Sequence, residues 1–382
     1  MNNIKNYHPL YFLSALGNGG LAVSFFMYFM FLIKHPDTPI PNFSHLKDVV
    51  INGGLPAILA IVVAAIIILL AFNHYRLLIQ NIKHLNRFKK TQAYQTLQQS
   101  PGGVTFIAAP LTYAMSINVA FILGALFVPG LWDIVEYLFP FAMIGFFAVG
   151  IYAIKIYLTF LKQFFTNGQF NLDAINHYGQ MLGAFAFIMV AVGLASPAAM
   201  SHTTWVSAIS AVGSFIFILL AVAVFLLFFG QSTRAILRNG FAKANAPTIW
   251  IGIPILTLAG ITFIRLYSMV SHQILGKEIT PALAFTVLGL LFAGNIVIGI
   301  IGYTVMKKMN YFKEQPDPSS TFGLICPGVA FFVLGMFFIH WGLVKTDIVT
   351  AYSYVHYTLI GLLAITQLKT VQWIFKLSRK YL

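Results

Sequence analysis

Ten long apolar runs, alternating in character, constrain this chain more than any other feature. The odd-numbered runs carry glycine and proline inside them. The even-numbered runs are mostly plain Leu, Ile, Val, Ala and Phe. In hydrocarbon every backbone polar group must find a partner within the protein, so runs of ~20 apolar residues read as spanning helices. A helix that only anchors has no use for an internal proline. Five repetitions of the pattern point to five kinked helices gathered around a pathway, with five straight ones outside.

Composition agrees. The chain is 59% hydrophobic and 8% charged, against about 25% charged in a soluble domain. The spans fall at roughly 11–33, 51–72, 104–129, 131–160, 178–200, 203–230, 247–270, 281–306, 321–344 and 349–375. They use nearly all of residues 1–382 as one ten-helix domain. The polar start, Met1 to Pro9, reads as leading into a retained first span rather than a cleavable signal. A single cysteine, Cys326, excludes a disulfide framework and a multi-cysteine metal site.

The net charge of +14 is a topology signal, and no nucleic-acid partner is expected. Lys5, Arg76, Lys83, Arg87, Lys89, Lys90, Lys155, Lys162, Arg234, Arg238, Lys243, Lys307, Lys308, Lys313, Lys369, Lys376, Arg379 and Lys380 fall on one side of the spans. The other side holds only Lys34, Lys47, Lys277 and Lys345. The positive-inside rule then makes both termini cytoplasmic, in an inner or plasma membrane. Loops on the basic side are longer. Tyr75 to Leu97 sets Leu77, Leu78, Ile82 and Leu85 at helical spacing among basic residues, and reads as an extension of span 2 at the headgroup layer.

Short outer loops pair the spans as five hairpins. Four of the five odd spans open on proline: Pro9, Pro101, Pro247 and Pro318. Proline suits a first helical turn, whose N–H is unsatisfied anyway. Span 5 opens through Asn176-His177 without one. The pattern implies a fivefold internal repeat of roughly 70 residues, as transporters commonly have, although the copies share no alignable identity. Inside the odd spans the breakers are Gly17, Gly19, Gly20, Pro110, Gly183, Gly193, Pro197, Gly252, Pro254, Gly260, Pro327, Gly328 and Gly335. An internal proline frees a carbonyl that needs a partner. Singly these read as packing glycines and tolerated kinks; as a set they favour a pathway.

Two segments carry a family resemblance. Ser100-Pro101-Gly102-Gly103-Val104-Thr105-Phe106-Ile107-Ala108-Ala109-Pro110 resembles the third-span opening of the tellurite-resistance/dicarboxylate transporter family, which includes plant slow anion channels and fungal malate carriers. Tyr11 to Ala22, with Leu16-Gly17 and Gly20-Leu21-Ala22, is similar to that family's first span. The resemblance implies five helical hairpins in a quasi-fivefold ring, an all-α membrane fold around a central pore, homotrimers, and passage of small anions or dicarboxylates. It also implies a phenylalanine plug in span 9. Here Cys326-Pro327 stands at that point. Either another aromatic gates the pore (Phe106, Phe185, Phe187, Phe263 or Phe331) or the correspondence is shifted by a few residues. Pro110, Pro254 and Pro327 complete the candidate pore and gate set.

Arg265 is the most informative single residue. An arginine within a span is costly and usually faces a cavity or a partner. It reads as a structural partner of Glu136 or Asp133, as a snorkelling side chain, or as a cation that draws anions toward the pore. His340 and His356, in the outer parts of spans 9 and 10, are candidates for proton coupling, with hydrogen-bonded packing as the alternative. Asn118 and Asn295 read as interhelical hydrogen-bonding residues. No spacing suits a metal or cofactor, and no nucleophile, P-loop or zinc-protease motif indicates an enzyme. Only nine acidic residues are present, nearly all at interfaces, which disfavours cation transport. The expectation is an anion channel or transporter embedded in the lipid bilayer. A proton-coupled dicarboxylate, sulfite or tellurite-type carrier is the alternative on the same fold, and a non-transporting membrane scaffold or subunit the alternative of another class.

Overall fold

A computed structural model describes residues 7–166, 175–277 and 279–382; Lys5 lies outside them. Among the described residues ten helices are long and apolar enough to cross a membrane. They are α1 (Pro9–Leu32), α2 (Gly54–Phe88), α3 (Pro101–Phe127), α4 (Leu131–Gln163), α5 (Tyr178–Met200), α6 (Thr204–Asn239), α7 (Lys243–Ile274), α8 (Pro281–Lys308), α9 (Pro318–Val344) and α10 (Tyr354–Tyr381). No strand occurs among the described residues. This is the build of a multi-pass membrane protein.

The expected alternation appears as burial. In α5 94% of the most apolar stretch is inside the protein; in α8 the figure is 17%. The even helices turn Leu55, Phe141, Leu226 and Leu290 outward. In water such a surface would be an aggregation liability, whereas in lipid it meets an equally apolar neighbour. Each odd helix packs on the even helix that follows it. The odd helices also pack on one another: α1 on α3, α3 on α5, α5 on α7, α7 on α9, and α9 on α1.

Four odd helices open with a tight 3₁₀ segment, at Pro9–Tyr11, Pro101–Ile107, Tyr178–Met181 and Lys243–Ile251, and α9 has one, Phe322–Leu324, just after its first α-helical turn Pro318–Thr321. All but α7 share one capping device, in which a side chain accepts the backbone N–H two residues on. His8 Nδ1 accepts from Leu10 at 3.2 Å, Ser100 Oγ from Gly102 at 3.1 Å, His177 Nδ1 from Gly179 at 2.9 Å and Asp317 Oδ1 from Ser319 at 3.0 Å. Span 5, which lacks the proline, thus keeps the cap. At the other end, α7 and α9 finish in π-helical turns, Val270–Ile274 and Phe338–Val344.

The basic stretch after span 2 continues that span as expected as far as Phe88, and the short helix Gln92–Gln98 follows it. α2 runs unbroken for 35 residues, ~52 Å, with Leu77, Leu78 and Leu85 buried against the protein. Tyr7 holds it there, its ring 5.6 Å from that of Phe88. Several odd-helix glycines serve packing, the reading each has singly, whereas Gly17 and Gly20 face a cavity. A Cβ on Gly183 or Gly193 would enter the rings of Tyr157 or Phe146 from α4, one on Gly260 would meet Leu291 of α8 at 2.8 Å, and one on Gly335 would meet Leu363 of α10 at 2.6 Å. These glycines are sockets for side chains of the even helices. Gly150 and Gly213 play the same part in α4 and α6, and Pro140 sits inside α4. Breakers are therefore not confined to odd helices.

Candidate functional site

All five odd helices line one internal cavity of about 170 Å³. The lining positions step by four and three: Leu16, Gly20, Val23 and Met27 on α1; Phe185, Met189, Val192 and Ser196 on α5; Pro254, Leu258, Ile261 and Arg265 on α7. Such steps keep side chains on one helix face. α3 adds Met115, Asn118 and Ile122, and α9 adds Cys326, Val329, Val333 and Phe337. The wall is therefore nearly all apolar, rich in methionine, and carries one charge.

That charge is Arg265. Its Nη1 donates to the Val192 carbonyl at 3.0 Å and to Ser196 Oγ, both on α5. No carboxylate lies within ion-pair distance among the described residues, where Lys243–Glu314 is the one salt bridge. Glu136, one of its expected partners, is occupied elsewhere. It accepts from Ser201 Oγ and the His202 N–H, both at 2.8 Å, and from Thr203 Oγ1 at 3.3 Å. It fastens the α5–α6 turn to α4. The guanidinium is thus oriented by neutral acceptors and stays uncompensated at the cavity wall.

A second cavity, about 250 Å³, lies at the N-terminal ends of the same helices. It is more polar, with His8, Thr105, His177, Asn245, Thr248, Asp317 and Ser320 in its lining. Burial pulls the His177 imidazole down to about 4 and lowers that of His8, against an opposing pull from Asp317. Both rings stay neutral near pH 7, as acceptors of helix N–H groups must. Asp317 is the carboxylate in this lining. The N–H groups of Ser319 and Ser320 and the Ser319 hydroxyl surround it, and a helix N-terminus favours that charge.

Phe185, Pro254 and Cys326 border both cavities. Pro327 lines only the N-terminal one. The remaining gate candidates lie elsewhere, for reasons of helical phase. Phe187 follows Phe185 by two residues, ~200° around the helix, and packs on Tyr157 and Phe217 at ring distances of 5.5 and 6.2 Å. Phe263 precedes Arg265 by the same step and is exposed on the outer surface, stacked on Tyr267. Phe331 packs on Phe292 of α8 at 5.0 Å, and Phe106 on Tyr94 at 4.9 Å. Pro110 is buried within α3, outside both linings.

His340 and His356 meet each other, Nε2 to Nε2 at 3.0 Å, behind the cavity wall. His340 Nδ1 donates to the Met336 carbonyl at 2.8 Å, and His356 Nδ1 accepts from the Tyr352 N–H at 3.1 Å. One shared proton satisfies the remaining pair of nitrogens, so both rings are neutral here. Asn295 donates to Thr257 Oγ1 at 3.0 Å, tying α8 to α7 as expected. Asn118 faces the cavity and the Met189 sulfur at 3.9 Å.

The methionines, Ser196, and the capping residues His8 and His177 had escaped notice as site residues. Only the shared offset to a helix start could have flagged the caps. No protein-family model, no curated protein and no solved structure matches the chain.

Proposed function

We propose that this protein passes small inorganic or organic anions through a pathway enclosed by α1, α3, α5, α7 and α9, with the five hairpins closing as a quasi-fivefold ring. The cyclic packing of the odd helices supports the ring. The observation that carries the function is Arg265, a lone guanidinium without a carboxylate, on an apolar wall shared by all five odd helices. An unpaired buried charge is costly, and a transient anion supplies the missing counter-charge. Five helix N-termini around the second cavity add positive potential that offsets the one carboxylate there, Asp317. Such a path attracts an anion yet does not hold it tightly, as conduction requires. Basic loops in the cytoplasm, a homotrimeric assembly and membership of the tellurite-resistance/dicarboxylate transporter family belong to the same proposal.

The test is electrogenic flux of chloride, nitrate, sulfite and malate into liposomes holding the purified protein. Anion flux is expected. Arg265→Ala should cut it at least tenfold, more steeply at low salt than at high, because a steering charge is screened. Failure of every anion to cross under any gradient would favour the scaffold reading. Coupling through His340 and His356 is the less favoured carrier mechanism, since both rings sit outside the cavity linings. His356→Gln should leave the pH dependence of flux unchanged.

A further inference from the structure

Lys89 and Lys155 come from different helices and line one groove. The groove, about 340 Å³, is built by Leu85 and Lys89 at the end of α2, Tyr94 and Gln98 from the short helix Gln92–Gln98, Gly103 and Phe106 at the start of α3, and Tyr152, Lys155 and Thr159 of α4. Local sequence explains its shape. Beyond Lys89 the chain turns at Thr91, whose hydroxyl accepts the Tyr94 N–H at 3.3 Å and starts the short helix. That helix ends against Gly103, where a Cβ would meet the Gln98 carbonyl at 2.8 Å. Tyr94 lies on Phe106 and Phe88, with ring centroids 4.9 and 5.9 Å apart. The result is an aromatic floor beneath a cationic rim.

The polar groups of this groove are unspent. Among the described residues neither ammonium has a carboxylate within ion-pair distance or a ring beneath it, and the Tyr94 and Tyr152 hydroxyls and the Gln98 amide make no hydrogen bond within the protein. Two cations facing one cavity repel each other, and an anion between them removes that cost. Position narrows the anion's identity. Lys155 stands eight residues from Gln163, the end of α4 on the basic side, ~12 Å along the helix. The same step separates it from the middle of α4, so a centred helix places its Cα just inside the ~15 Å half-thickness of the hydrocarbon, from which a lysine side chain reaches the headgroups. Ile151 and Leu158, one turn to either side of Lys155, are exposed and apolar. A free phosphate would meet the lysines alone, whereas lipid already lies against that apolar track and can bring a phosphate to them.

We propose that this groove binds one anionic phospholipid, its phosphate oxygens accepting from Lys89 Nζ and Lys155 Nζ and its acyl chain lying over Ile151 and Leu158. Basic pockets between helices at the cytoplasmic face are suited to such headgroups.

The test is native mass spectrometry and spin-labelled lipid binding on the full chain, with phosphatidylglycerol against phosphatidylcholine. The expected result is one retained phosphatidylglycerol in excess over phosphatidylcholine. Lys89→Ala with Lys155→Ala should weaken retention roughly thirtyfold, at about 1 kcal/mol per interfacial cation. Lys89→Arg with Lys155→Arg should keep most of it. Both lysines are exposed, so an unchanged melting temperature checks that the double variant is folded. Millimolar inorganic phosphate should not displace the lipid; displacement would assign the site to free phosphate and overturn the lipid. Equal retention of the two lipids, or of phosphatidylglycerol by the double alanine variant, would also overturn the proposal.

Discussion

The two cavities on either side of Phe185, Pro254 and Cys326 are lined by the same five helices but built on opposite electrostatic plans. The one holding Arg265 is apolar, padded by methionines, with its charge concentrated in one guanidinium. The one at the helix starts has a polar wall, where backbone N–H groups and aligned helix dipoles face the carboxylate of Asp317. Apolar walls strengthen every electrostatic interaction, so one cation is enough there and a second would trap an anion. At the polar end each interaction is weaker, so many small contributions are needed. On the proposed anion pathway, affinity belongs to Arg265 and passage to the three residues between the cavities.

That division can be broken most sharply at the shared residues. Phe185→Ala removes the large ring between the cavities and should raise anion flux several-fold with selectivity retained. Cys326→Phe adds a ring opposite it and should cut flux about tenfold. Single-channel or liposome flux measures both. Flux unchanged in either variant would mean that the barrier lies elsewhere. Because Phe187 packs on Tyr157 and Phe217, Phe187→Ala should lower stability by about 3 kcal/mol and leave permeation of the folded fraction alone.

Phe185 and Phe187 also show where the sequence stopped being informative. The span positions, the odd–even alternation and the exceptional status of Arg265 were legible because each is a property of composition or of single residues. The lining phase was not. α5 is apolar on every face and buried almost throughout, so no hydrophobic asymmetry marks which side meets the cavity. The odd-helix glycines could not be sorted into packing and lining positions for a related reason. A glycine that admits Phe146 or Leu363 from a neighbouring helix looks, in sequence, the same as one that bends a pore helix. The roles of His8 and His177 are not legible in the sequence, because their caps act on backbone N–H groups, which leave no trace in the residue pattern. The likeness among the odd helices is carried by that cap in four of them and by their 3₁₀ segments, features of geometry that different side chains satisfy equally well.

The next effect separates packing from permeation behind the apolar cavity. Val192 faces the cavity and Gly193, its neighbour, faces Phe146. Gly193→Val should cost about 1–3 kcal/mol through overpacking, read as a fall in melting temperature in detergent, while the ratio of nitrate to chloride flux holds. A changed ratio with unchanged melting would place Gly193 on the pathway side after all.

The smallest effect tests the polar cavity through pH. His177 binds its proton in the folded protein only near pH 4, because burial disfavours the imidazolium, against about 6.5 in an unfolded chain. Protonation also removes the Nδ1 acceptor that caps the Gly179 N–H. Above about 6.5 both states are neutral, and His177 leaves stability independent of pH. As pH falls from about 6.5 toward about 4 the unfolded chain takes up a proton that the folded one refuses, so stability declines through that window and levels off below it. His177→Asn keeps a cap acceptor and removes the titration. The variant should match the wild-type melting temperature near neutral pH and lose less of it on acidification. If wild type and variant decline in parallel, another group governs the acid response. If the variant already melts lower at neutral pH, the imidazole contributes packing beyond its cap, and α5 depends on its first turn more than the other odd helices do.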